Sequence, residues 1–268
     1  GAGVRIAIVD TGVALSHPAF VGRNIEAVSF VPYENSEDRH GHGTHCFGTA
    51  CGATVADEPR YGIATGAEAL VAKCLDATGL GRESWILAGI DWALSQGADI
   101  ISLSLGLPYG PDGAADPIYT QLGEIALAEG SLLIAASGNG SSRPGRIEPA
   151  LLPAAVPSVL SVGALAEDLT IAPFSNGRAF GDDRQVDLLA PGVGVYSTHL
   201  PPIKFKSLSG TSMAAPHVAG IAGLLAESDP SLRGRALWDA LVALQQDLSI
   251  GQGAAGLVRA PAGQRVGS

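Results

Sequence analysis

Apolar residues fall along this chain in short bursts of two kinds. Nearly unbroken apolar runs rich in β-branched residues occupy 4–9, 69–75, 99–105, 131–136, 159–165 and 186–192. Such runs, bounded by glycine or polar turns, read as strands buried on both faces. Between them, 83–96 and 118–128 repeat apolar positions at helical spacing, with Trp85, Leu87, Ile90 and Leu94 on overlapping faces of the first. Gly97 and Gly130 stop these two helices. Residues 213–226 read as a buried helix of small apolar residues, and 232–244 as a closing surface helix. The alternation predicts an α/β fold whose mostly parallel central sheet is covered by helices on both faces, three layers in all. Residues 13–40 read as irregular and polar, broken at His17-Pro18 and Pro32, and 149–157 and 178–184 as loops. No internal repeat is present.

Composition narrows the picture. The 268 residues carry no low-complexity linker, which fits one domain over 1–268. No run of about 18 apolar residues crosses a membrane. A formal net charge of −10 with scattered Lys and Arg argues against nucleic acid as a partner. The chain opens almost directly on a strand, so no signal peptide is expected. Cys46, Cys51 and Cys74 form neither a disulfide framework nor a CxxC metal pair. One bridge from Cys74 to either of the others fits, whereas Cys46 and Cys51 on one helix would face apart.

The candidate chemistry lies where strands end and helices begin. Asp10 closes the first strand, at the sheet edge where reacting groups gather, although an acid there is often only a turn former. Gly1-Ala2-Gly3 precedes that strand and so fails as a dinucleotide fingerprint. Asn139 sits between glycines at the exit of 131–136; it suits a left-handed turn, or a donor aimed across the sheet edge. Ser212 stands between a Gly-led turn and the buried helix, where it could cap the helix or present its hydroxyl beside a free N–H. His40, His42 and His45 lack the i, i+4 pairing and nearby Glu of a helical zinc motif. If a helix starts near His42, that ring stands at its head, His45 is a core histidine, and Cys46 lies one turn on, against His42. A serine hydroxyl needs a base and an orienter for that base. His42 and Asp10 supply them, and the Ser212 N–H and Asn139 amide supply oxyanion donors.

The order acid, imidazole, hydroxyl is that of the subtilisins, and Ala214 breaks the G-x-S-x-G elbow of the α/β-hydrolases. Val9-Asp10-Thr11-Gly12, Gly41-His42-Gly43-Thr44-His45, Ser104-Leu105-Gly106, Ala136-Ser137-Gly138-Asn139-Gly140 and the run 210–217 together resemble the subtilisin-like serine peptidases, from Val4 to about Pro261. The resemblance implies a serine endopeptidase with a subtilisin-like fold, acting through an acyl-enzyme on Ser212 and needing no cofactor for chemistry. It also implies a monomer that binds polypeptide as an extended strand along Ser104, Leu105 and Gly106. Ala135, Ala136, Ser137 and Gly138 would form the other wall of the first specificity pocket. Both walls are small and uncharged, so a neutral or apolar side chain is expected before the cut. Cys46 resembles the proteinase K branch, in which a free cysteine lies by the catalytic histidine, and a bulky thiol or mercury reagent there should displace His42. The stretch 54–62 departs from the calcium loop of many relatives. A weak calcium site at Asp187 with the Pro157 and Val159 carbonyls follows that branch's pattern, beside the alternative that backbone N–H groups hold Asp187. Secretion is usual for the family, so the resemblance implies an extracellular enzyme, while so few cysteines leave an intracellular one open. Two other readings stay open: a precursor-processing or transpeptidating enzyme, and a non-catalytic binding module.

Overall fold

The computed structural model describes residues 1–108, 116–177, 186–246 and 256–258. β1 (Arg5–Asp10) shows how the sheet is built: Ile6 and Ile8 enter one hydrophobic cluster, Ala7 and Val9 the other. That alternation is the two-residue period of a strand buried on both faces. β1 pairs in parallel with β3 (Glu68–Lys73) on one side and β4 (Ile100–Leu103) on the other. β2 (Ile25–Ser29) lies beyond β3, and β5 (Leu132–Ala136), β6 (Leu160–Leu165) and β7 (Leu188–Pro191) follow β4. All seven strands, in the order β2-β3-β1-β4-β5-β6-β7, are parallel. β8 (Val195–Thr198) and β9 (Phe205–Leu208) form a separate antiparallel hairpin. β10 (Gln245–Gln246) and β11 (Gly256–Val258) extend the β7 edge.

Helices α1 (His42–Cys51), α4 (Thr211–Ser228) and α5 (Gly234–Ala243) cover the face that takes Ile6, Ile8, Ile134 and Val162. Helices α2 (Glu83–Ser95) and α3 (Pro117–Ala128) cover the face that takes Val9, Ile101 and Leu133. Asp116 caps α3 by accepting the Ile118 and Tyr119 N–H groups, and Pro117 holds the first helical position, which needs no donor. The three-layer α/β arrangement expected from the alternation is therefore present. The chain leaves β1 toward β2 and β3 on one side and later toward β4 on the other, so strand order reverses beside β1. A crevice opens at the carboxyl ends of strands at such a point.

Three features differ from the sequence expectation. Residues 13–40 contain β2, a half-exposed edge strand with too little apolar pattern to announce itself. Asp187 precedes β7 instead of lying within it. The helix expected from Met213 already begins at Thr211, which places Ser212 in its first turn. The polar loop expected at 178–184 lies outside the described residues.

Candidate active site

Asp10 ends β1 fully buried, and its Oδ1 accepts from His42 Nδ1 at 2.7 Å and from the Thr11 N–H at 2.7 Å. An ionised carboxylate is acceptor-only, so in the neutral ring the proton sits on Nδ1 and Nε2 carries the lone pair. Burial opposes a charge on His42, but Asp10, with a smaller contribution from Cys46, outweighs it and lifts the imidazole well above its ordinary 6.5. Cys46 Sγ lies 3.9 Å from His42 Nδ1, as the one-turn spacing predicts. Burial pushes that thiol up, so it stays protonated beside the pair.

His42 owes its position to the head of α1. Gly41 adopts a left-handed φ of 98°, and a Cβ there would stand 2.6 Å from His199 Nε2, so glycine is required on both counts. Asp38, buried at 3 % exposure, gathers the helix start: Oδ1 accepts the Thr11 hydroxyl and the N–H groups of His40 and Gly41. Its Oδ2 accepts the Thr44 N–H and hydroxyl. One carboxylate thus joins the helix head to the residue after Asp10, at the positive end of the helix dipole. Sequence reasoning missed Asp38; an acid four residues before a helix-head histidine was the available signal. It also missed Lys73, fully buried, whose Nζ donates to the carbonyls of Thr11 at 2.6 Å and Leu75 at 3.0 Å and pairs with Glu34. His45 instead enters the core, its Nε2 3.0 Å from the carbonyls of both Val195 and Lys206, and burial lowers it to about 4.

Ser212 occupies the first turn of α4, where its N–H has no intrahelical carbonyl to bond. Four residues on stands Pro216, which has no N–H to give the Ser212 carbonyl. That carbonyl instead accepts from Ser104 Oγ at 2.8 Å and from the Cys46 thiol at 3.4 Å. The serine is therefore tied to β4's exit and to α1. Its own hydroxyl donates to the Ser104 carbonyl at 3.3 Å and not to His42, though both line one cleft of about 390 Å³. Asn139, after β5, lines the same cleft. Its Oδ1 accepts the Thr211 N–H, which leaves Nδ2 as the free donor.

The cleft is also lined by Ser104, Leu105, Gly106, Ala136 and Gly138. β4 stops at Leu103, so the backbone of 104–106 leaves the sheet and runs along the cleft. Ala135 and Ser137 depart from the expected wall. Strand alternation sends Ala135 into the core of the opposite face, and the Ser137 hydroxyl is buried on the Asn176 carbonyl. Asp187 Oδ2 accepts both the N–H and the hydroxyl of Ser161 at 2.7 Å, so protein donors engage this carboxylate. Cys46, Cys51 and Cys74 are all buried and free, so the bridge considered for Cys74 does not form. No described helix is long and apolar enough to cross a membrane.

An acid-held imidazole and a helix-head serine lining one cleft, at the strand ends of a parallel sheet, are the parts that a serine hydrolase on an α/β fold requires. Comparison with known proteins names the family. Residues 1–255 match the model of the subtilase family. The chain is 39% identical over 233 residues to subtilisin DY of Bacillus licheniformis, covering 87% of this chain and 80% of that one. It is 37% identical over 233 residues to subtilisin E of Bacillus subtilis (strain 168), covering 86% of this chain and 57% of that one. The crystal structure of a cold adapted subtilisin-like serine proteinase superposes with a TM-score of 0.81 at 30% identity, covering 98% of this chain and 90% of that one. The chain belongs to the subtilase family of serine endopeptidases.

Proposed function

We propose that the chain, as one domain over 1–268, cleaves polypeptides with Ser212 as nucleophile, His42 as general base and Asp10 as its orienter. The observation that carries this is the 2.7 Å contact between Asp10 Oδ1 and His42 Nδ1 at the mouth of a cleft shared with Ser212. The Ser212 hydroxyl swings from the Ser104 carbonyl toward His42 Nε2, loses its proton there and attacks the scissile carbonyl. The oxyanion that forms is met by the Ser212 N–H and Asn139 Nδ2. Imidazolium then protonates the departing amine, and the acyl group stays on Ser212 until His42 activates a water to release it.

Ser104, Leu105 and Gly106 offer backbone to an extended substrate, and Ala136 and Gly138 the facing wall. With no charge in either wall, the residue before the cut is neutral or apolar. A monomer suffices for this site. Calcium at Asp187 with the Pro157 and Val159 carbonyls would be structural, sharing a carboxylate already bonded to Ser161 and entering no step of the reaction. An unchanged melting temperature after chelation would remove it.

The test is digestion of a diverse peptide mixture by the wild type and by Ser212→Ala, with all products identified by mass. Hydrolytic fragments made only by the wild type support the reading. Ligated or cyclised products would shift it to transpeptidation, and no products at all would leave a binding module.

A further inference from the structure

The two walls of the specificity pocket are held together by the segment that crosses beneath them. The Leu151 N–H donates to the Ser137 carbonyl at 2.9 Å, which ties this segment to the Ala136–Gly138 wall. One residue later, Leu152 exchanges backbone hydrogen bonds with Leu107 at 2.9 and 3.0 Å, which ties it to the Ser104–Gly106 wall. Leu152 is buried in the core, whereas Leu151 is half-buried and lines the cleft. Its side chain lies against a glycine of each wall. A Cβ built on Gly106 would stand 2.7 Å from Leu151 Cδ1, and one built on Gly138 would stand 3.0 Å from Leu151 Cγ. Contacts this close mean that the Leu151 isobutyl group fills the space into which a side chain on either wall would project.

Resting on the peptidase reading above, we propose that Leu151 is the floor of the first specificity pocket and makes it shallow, so that the enzyme selects substrates with a small residue, such as alanine or serine, before the cut. A large aromatic or long aliphatic side chain between the same walls would have to displace Leu151. The backbone bonds of residues 151 and 152 to both walls oppose that movement. The preference is thus set by volume, and Ala136, Gly106 and Gly138 contribute by adding no bulk of their own. Small differences in fit within apolar pockets are worth roughly 10–200-fold in kcat/KM, which is the size of effect to expect here.

The experiment uses peptide anilides identical except for Ala, Ser, Leu, Phe or Arg before the cut, assayed with the wild type, Leu151→Ala and Leu151→Gly. A serine-directed fluorophosphonate, which carries no side chain for this pocket, reports whether Ser212 is assembled in each variant. The wild type should cleave the Ala substrate about 10-fold or more better than the Phe substrate. Leu151→Gly should reverse that ratio, and Leu151→Ala should fall between, with labelling by the fluorophosphonate unchanged. A wild type that prefers Phe or Leu overturns the proposal without need of any variant. So does a Leu151→Gly enzyme that labels normally and keeps the wild-type ratio. A wild type that neither cleaves any of these substrates nor takes the label refutes the peptidase reading instead.

Discussion

Thr211 and Asn139 meet through a single oxygen: Asn139 Oδ1 accepts the Thr211 N–H at 2.9 Å and the Thr211 hydroxyl at 3.1 Å. The same hydroxyl receives the Gly138 N–H at 3.0 Å. The amide is thereby locked with its NH₂ toward the cleft before any substrate arrives, as preorganised stabilisation requires. Asn139→Ala should lower kcat by about 10²–10³ with KM little changed, a magnitude established in subtilisin, a relative of this chain. Thr211→Val, which keeps the backbone donor, should cost about 10-fold or less. Steady-state kinetics on one substrate check both.

The rate should follow the proton on His42. Against the opposing effect of burial, Asp10 and to a lesser extent Cys46 lift the imidazole above 6.5, and only the neutral ring can accept the serine proton. The acid limb of kcat/KM therefore lies above pH 6.5. Asp10→Asn should move that limb down and reduce kcat by about 10⁴. A pH–rate profile for each enzyme decides the matter.

Stability should carry the opposite signature from His45. Burial lowers this ring to about 4, so the fold keeps it neutral while the unfolded chain protonates near 6.5. Its contribution is complete above 6.5 and is lost as pH falls toward 4, about 3 kcal/mol in all. His42, raised in the fold, stabilises below 6.5 and loses that contribution as pH rises through its folded value. Denaturation of His42→Ala removes the opposing contribution, and adding His45→Gln should reduce the slope between pH 6.5 and 4 without abolishing it, because burial lowers His17, His199 and His217 as well.

Asp38 should matter more to stability than its loop position suggests. Alanine there strips acceptors from three backbone N–H groups and two hydroxyls at once. A loss of about 3–5 kcal/mol is expected, with Asp38→Asn less severe because one acceptor oxygen survives. Urea midpoints measure it, with an unchanged slope marking an effect on stability alone.

Cys46 should react slowly and decisively. Its thiol is buried and held protonated, so small alkylating reagents find little thiolate. A mercurial or bulky thiol reagent that does add there must push against His42, and loss of turnover should track the fraction modified. Full activity after verified stoichiometric modification would refute the coupling.

Much of this architecture was legible along the chain because the relevant signals are local. Asp10, His42, Asn139 and Ser212 each stand at a strand exit or helix head, positions that short windows reveal. Unbroken apolar runs likewise disclosed the parallel sheet. Leu151 was hidden for the opposite reason: it acts through contacts with segments distant in the chain, which no spacing encodes. Asp38 instead bonds mainly to His40, Gly41 and Thr44, and its spacing to His42 was a local signal left unused. Ala135 and Ser137 were placed by wall instead of by face, and the two-residue period of the strand turned them away. Pro216 lies inside the helix that the sequence predicts over 213–226, where it leaves the Ser212 carbonyl available to Ser104 and Cys46.

The central place of β1 has a consequence for biosynthesis. Its neighbour β4 and the helix bearing Ser212 are made long after Asp10 leaves the ribosome, so a growing chain holds its acid and imidazole with nothing to activate. Until the segment carrying Ser212 emerges, a nascent chain of this topology holds the acid and the imidazole without the hydroxyl they would serve, an order of assembly written into the sequence itself.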